Sequence, residues 1–459
     1  MGRDATNGAL AFALIYFTFF LDNVLLTVLV PIIPDWVRGE ALELWTKNEA
    51  PLAILLNSTV HQIQVEDTSV GGSQAIVGLV LGAKAAAQLI TAPFAGAAVC
   101  KHGPARVLQV ATATLAAAAT VFMLCSGRTG ASGACCACAG RITHGAAAAM
   151  AGVAGLALAA AAVSNEQRDK AIGALLGAVA LGVLVGYPFG GASYSLWSPG
   201  APFLLISIAL LTNLVMQIMF LDHEKFNQPI HQSETGVWGS ASSMLRVAKK
   251  ESVAACVGAV LLTTSVMAAL EPCLPLWIMT VFHPQRWQTG VVFVPDSLGY
   301  LAAASALGGA LHAERLALAG QLAVGLAALA VPLATSVSGL ALPHAILGCG
   351  LGATDAALVP ALLRRHTRHV PHLAALLQAT SSLAYALGPI VGGVLSWCVG
   401  FETALRTLGV LNLLYAGFLY RALIAHPLSE QWGASTPEDD PESEEEGTPL
   451  RPQIYTPLN

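Results

Sequence analysis

LDNVLLTVLVPII, Leu21–Ile33, suits lipid everywhere except at Asp22. A charge at the bilayer centre costs at least about 2.5–3.5 kcal/mol on insertion scales, so the surroundings of Asp22 must offset that cost. The stretch sits in an apolar run over residues 9–31, enough to cross roughly 30 Å of hydrocarbon as a helix. The run is longer than a signal-peptide core and continues into Pro31-Ile32-Ile33-Pro34. It therefore reads as a span rather than a cleaved leader.

Working outward, the rest of the chain has the same character. Of 459 residues 55% are hydrophobic and 11% charged, with a mean hydropathy of +0.65, which excludes an ordinary soluble protein. Further spans are predicted at 75–99, 105–126, 138–163, 171–195, 201–221, 252–281, 291–312, 316–336, 338–362, 373–398 and 402–424. The expected fold class is an all-α polytopic membrane protein with twelve transmembrane helices in two six-helix bundles. Residues 1–8 form a cytoplasmic N-terminus, 9–221 the first bundle, 222–251 a polar cytoplasmic linker, 252–424 the second bundle and 425–459 a tail.

Lysine and arginine set the orientation. With both termini cytoplasmic, that side's connections hold Lys101, Arg106, Arg168, Lys170, Lys225, Arg246, Lys249, Lys250, Arg315, Arg364, Arg365 and Arg368, against Arg38, Lys47, Arg128 and Arg286 opposite. The basic patch around Arg364 fits topology and anionic lipid, with no nucleic acid implied. The net charge of −5 says little about partners, because the acid-rich, Pro-rich tail contributes much of it and reads as disordered. Within that tail Tyr455 and Leu458 fit a Tyr-x-x-apolar signal for a trafficking adaptor, the alternative being an inert tail. The non-cytoplasmic loop 32–74 carries the sequon Asn57-Ser58-Thr59, a glycosylation acceptor if the loop is lumenal.

No phosphate-cradling G-x-x-x-x-G-K-[ST], no G-x-S-x-G and no H-E-x-x-H occurs, so neither an ATP-driven pump nor an enzyme is indicated. No cofactor is expected and no metal: Cys135, Cys136 and Cys138 lack a second ligand cluster and read as small buried thiols. Loop 32–74 has no cysteine and hence no internal disulfide.

The charges inside the spans carry the functional reading. Asp22, Lys84, Arg141, Glu271 and Asp355 all interrupt hydrophobic runs, and intramembrane charges mark substrate or proton pathways unless they merely pair to lock helices. Asp22 and Glu271 lie one in each half, each followed by prolines. In a low-dielectric site a carboxylate holds an ammonium strongly, and a proton competes for the same charge. That competition is the simplest basis for proton/amine exchange driven by a proton gradient.

LDNVLLTVLVPIIP, SVMAALEPCLPLWIM (Ser265–Met279), LGVLVGYPFGG (Leu181–Gly191) and ATDAALVP (Ala353–Pro360) together resemble the vesicular amine transporters of the major facilitator superfamily. The resemblance implies uptake of a small cationic amine into secretory or synaptic vesicles in exchange for lumenal protons, with Asp22, Asn23, Glu271, Tyr300 and Tyr385 binding the amine. It also implies a proton-coupling and ion-pair network of Asp355, Lys84 and Arg141, and an antiporter hinge of Gly182, Gly186, Pro188, Gly190 and Gly191. Aromatic faces do attract ammonium, although tyrosines also serve as packing residues.

The chain also departs from that pattern. Members of the family pair the second-span lysine with an eleventh-span acid, where Gln378 stands here, so Lys84 must find Asp355 or another acid, or lose its charge. Cys100-Lys101 replaces the usual Asp-Arg or Asn-Arg gate, Asp296 adds an acid to the eighth span, and Thr264 stands where monoamine carriers have asparagine. His144, one turn from Arg141, fits either a proton relay or a packed core histidine. Open alternatives are a carrier of another organic cation (acetylcholine, a polyamine, a drug-like cation) and a transport-deficient binding paralogue.

Overall fold

The computed structural model describes residues 2–29, 80, 82–163, 165–221, 237–283, 291–309 and 312–428. Asn57, Tyr455 and Leu458 lie outside them. Each apolar run becomes one helix. In chain order these are Gly2–Leu29, Gly82–His102, Pro104–Cys125, Gly130–Ala162, Asn165–Leu196, Ala201–Phe220, Glu251–Val281, Val294–Leu307, Ala313–Ala330, Ala341–Arg365, Val370–Val399 and Phe401–Ala425. They are called the first to twelfth spans below. Among the described residues eleven helices are long and apolar enough to cross a membrane; the eighth, with 14 residues, is shorter than the roughly 20 a full crossing needs. The fourth begins eight residues before its apolar run, through GASGACCA. An additional helix, Val237–Ala248, lies inside the linker and packs on the eleventh and seventh spans.

Local chemistry sets the joints. Gly103 (φ 82) and Gly400 (φ 83) adopt the left-handed region that favours glycine, turning the chain into the third and twelfth spans. Pro104 follows at the first helical position, where no amide hydrogen is needed.

The second half repeats the first. The first span packs on the fourth, fifth and sixth, as the seventh does on the tenth, eleventh and twelfth; the third packs on the fourth and sixth, as the ninth does on the tenth and twelfth. Buried amides repeat too. Gln217 of the sixth span donates to Thr18 (2.9 Å) and to Thr112 of the third (3.1 Å), while Gln321 of the ninth donates to Asn412 of the twelfth (2.7 Å). Such bonds are worth about 0.6 kcal/mol each in a membrane and fix which helix faces join.

Burial shows the layering. The fourth and tenth spans are 78% and 83% buried over their apolar windows, against 33% and 28% for the sixth and twelfth. The central pair is built of small residues, AAAAMAGVAGLALAA in the fourth and GCGLGATDAA in the tenth, which let backbones approach. The outer pair shows Leu211, Val215, Ile218, Leu414 and Phe418 to lipid.

The halves meet along a seam formed by the fifth span on the eighth and tenth and the fourth on the eleventh. A Cβ on Gly173 would lie 2.7 Å from both the Ala304 carbonyl oxygen and the Gly308 Cα, so this crossing tolerates no side chain. Asp169 and Arg364 pair across the same end. At the opposite end Cys125 and Cys136 form a disulfide, Cα to Cα 5.8 Å, tying the third span to the fourth. This corrects the reading of Cys136 as a free thiol: the early start of the fourth helix brings it alongside Cys125.

Candidate functional site: a polar cluster between the halves

The first span stays helical through Asp22, so the carboxylate must find partners on other helices. It finds His144 of the fourth span, Nε2 to Oδ1 2.7 Å, and it lies within electrostatic reach of Lys84 of the second. Lys84 is buried and faces Asp22 and Glu271 together, with Arg141 beside it. Arg141 is buried one turn from His144 and faces Glu271 and Tyr187.

The second half supplies the acids. Glu271 of the seventh span retains exposed surface although Lys84 and Arg141 face it, so it borders open space. Tyr187 and Tyr385, each 37% exposed, border it too. Asp296, buried on the eighth span, faces Glu271. Asp355 accepts a hydrogen bond from the Tyr300 hydroxyl at 2.8 Å, and Tyr385 links it electrostatically back to Glu271.

The structure thus brings Asp22, Glu271, Lys84, Arg141, Tyr300, Tyr385 and Asp355 into one continuous cluster, divided in a way the sequence did not indicate. Lys84 and Arg141 stand with Asp22 and Glu271; Asp355 stands with Tyr300. Lys84 has turned to Asp22 and Glu271 rather than to Asp355, and Gln378 packs against Gly152 of the fourth span. Asn23 spends its amide on its own helix, donating to the Phe19 carbonyl at 2.8 Å. Thr264 is buried.

Gly182, Gly186 and Gly190 press against the first span. A Cβ on Gly182 would lie 2.8 Å from the Asn23 Cβ, and one on Gly190 3.1 Å from the Val28 Cα. The fifth helix passes Pro188 and Gly191 without interruption. These glycines therefore fit the fifth span to the first within one half, whereas Gly173 and Gly177 make the crossing to the eighth. Sequence reasoning missed Tyr187, which sits between Gly186 and Pro188, and the acceptor of His144, whose only signal was a face shared with Arg141.

Charge and exposed surface in this cluster suit a cation. A separate cavity of about 540 Å³ between the eighth, ninth and tenth spans is lined by residues such as Ala302, Ala306, Ala319, Ala323 and Ile346 and offers an ammonium no counter-charge. Among the described residues no group of His, Cys, Asp and Glu is arranged to hold a metal ion.

Known proteins include relatives of this chain. The chain is 28% identical to a synaptic vesicular amine transporter of Bos taurus, covering 88% of this chain and 86% of the relative. It is also 28% identical to a vesicular acetylcholine transporter of Drosophila melanogaster, over 89% and 71%. The crystal structure of the human organic anion transporter MFSD10 (TETRAN) superposes with a TM-score of 0.70 at 17% identity, over 90% of this chain and 99% of that one, a likeness of fold alone. The family model of the Major Facilitator Superfamily matches residues 12–315. With its repeated halves and intramembrane charges, the chain is an integral membrane protein and belongs to the Major Facilitator Superfamily.

Proposed function

We propose that the chain is a proton-coupled antiporter that loads a cationic amine from the cytosol into acidic secretory or synaptic vesicles by alternating access. One observation carries the reading: Lys84 faces Asp22 and Glu271 at once, so carboxylates from opposite halves border one polar space. An ammonium entering there replaces cationic partners on Asp22 and Glu271, with Tyr385 and Tyr187 offering ring faces. Asp355, held by Tyr300, takes a coupled proton. A carboxylate that holds the ammonium cannot also hold a proton, so a gradient of one drives the other. Both named vesicular relatives support an ammonium substrate, primary or quaternary.

Two features support the direction. The disulfide Cys125–Cys136 suits an oxidising compartment, which supports a lumenal position for that end and a cytosolic one for both termini. The seam at Gly173, Gly308, Asp169 and Arg364 then closes the cytosolic side, as a lumen-facing state requires. A glycan at Asn57 and an adaptor at Tyr455 and Leu458 belong to the same reading.

The test is a substrate panel on proteoliposomes made acidic inside: labelled monoamines, acetylcholine, polyamines and synthetic cations. At least one cation accumulates and leaves when a protonophore collapses the gradient. Accumulation indifferent to the protonophore contradicts the antiporter, and binding without flux marks a transport-deficient paralogue.

A further inference from the structure

His144 is completely buried, with Nε2 2.7 Å from Asp22 Oδ1 and Nδ1 without a hydrogen-bond partner among the described residues. A carboxylate only accepts, so the hydrogen of this bond sits on Nε2 and the Nδ1 lone pair is left open. Most buried polar side-chain atoms have a hydrogen-bond partner; in His144 only the nitrogen that touches the proposed amine acid has one.

The neighbours are named from every side. Asp22 comes from the first span, Lys84 from the second and Arg141 from His144's own helix. Phe122 of the third turns its ring edge-on to the imidazole at 6.5 Å between centroids. Tyr187 of the fifth faces Arg141, and Gln378 of the eleventh is neutral and packs two turns further along, at Gly152. With Lys84 and Arg141 both cationic, Asp22 is the acid in contact with a charged His144.

We propose that His144 is the proton-exchanging partner of Asp22: the pair holds either one proton or one ammonium, because a protonated imidazole and an ammonium need the same counter-charge. This rests on the amine reading of Asp22. On the lumenal visit a proton from water forms an N–H bond at Nδ1, and the imidazolium takes the carboxylate over from the amine. On the cytosolic visit an arriving amine takes the carboxylate back, that N–H bond breaks and the proton passes to cytosolic water. No other bond changes. His144 thereby supplies a titrating group beside the lysine whose expected acid partner is replaced by Gln378.

The experiment compares wild type with His144→Gln, which keeps a donor toward Asp22 but cannot titrate, and with His144→Ala. Tritiated serotonin and tritiated acetylcholine are the probes, in proteoliposomes and in weakly buffered detergent solution. In wild type, binding of the carried probe releases protons. In His144→Gln that release is smaller by one proton per bound probe, and accumulation driven by an acid lumen falls about tenfold or more while amine/amine exchange falls less than about threefold. Equal proton release in wild type and His144→Gln overturns the proposal. So does a parallel loss of exchange and accumulation in His144→Gln as in His144→Ala, which makes His144 a packing residue. If neither probe binds wild type, neither is the cargo; the imidazole is then followed by nuclear magnetic resonance, and a His144 signal that does not change between pH 5 and 8 overturns the proton site independently.

Discussion

The two halves treat their buried acids differently. In the first, Asp22 is hydrogen-bonded to His144, with Lys84 near it. In the second, Asp355 is held by the hydroxyl of Tyr300, and Glu271 and Asp296 stand together without a cation from their own half among the described residues. The cations of the cluster, Lys84 and Arg141, thus come from one half and most of its acids from the other. An otherwise repeated fold has become electrically lopsided, and the attraction between its halves depends on what occupies the space between them. An ammonium or a proton reduces the negative charge of the acid-bearing half, which is how cargo can bias a rocking carrier.

This contrast can be broken residue by residue. Lys84→Met is expected to have the largest effect, since it leaves Asp22 and Glu271 facing each other without the cation they share. Removing one partner of a buried charge cluster costs about 3–5 kcal/mol, so detergent-extracted protein should melt markedly earlier and uptake should fall to background. If uptake survives, the cation does not join the halves. Tyr300→Phe deletes the hydroxyl on Asp355, about 1.5–3 kcal/mol for a hydrogen bond to a charged group. Its expected signature is a roughly tenfold lower maximal rate with little change in half-saturating amine concentration. A change confined to apparent affinity moves Tyr300 from proton coupling to substrate contact. Arg364→Gln is expected to do least: the pair with Asp169 is partly exposed, such pairs contribute about 0–1 kcal/mol, and uptake should stay within about twofold. A larger loss makes this pair the principal lock on the cytosolic side.

Much of the fold was legible because the bilayer imposes length. A run of about 20 apolar residues has few structural options in lipid, so the spans could be read directly. Edges rich in small residues were less legible, and the fourth helix starts early because GASGACCA is helical without being strongly apolar. The intramembrane charges were visible one by one, since each violates the solvent around it. Their partners were not. Helical spacing shows that His144 shares a face with Arg141 but not that the first span lies opposite, and nothing local pairs Cys125 with Cys136 or sets Gly173 against Gly308.

The most direct measurement is uptake of the carried amine into acid-loaded proteoliposomes by wild type, Asp22→Asn and Glu271→Gln at matched protein density. A site built from both halves should give wild-type accumulation that a protonophore abolishes, and background accumulation in each variant. Wild-type accumulation in both variants would contradict it, because a cation would then cross without either carboxylate.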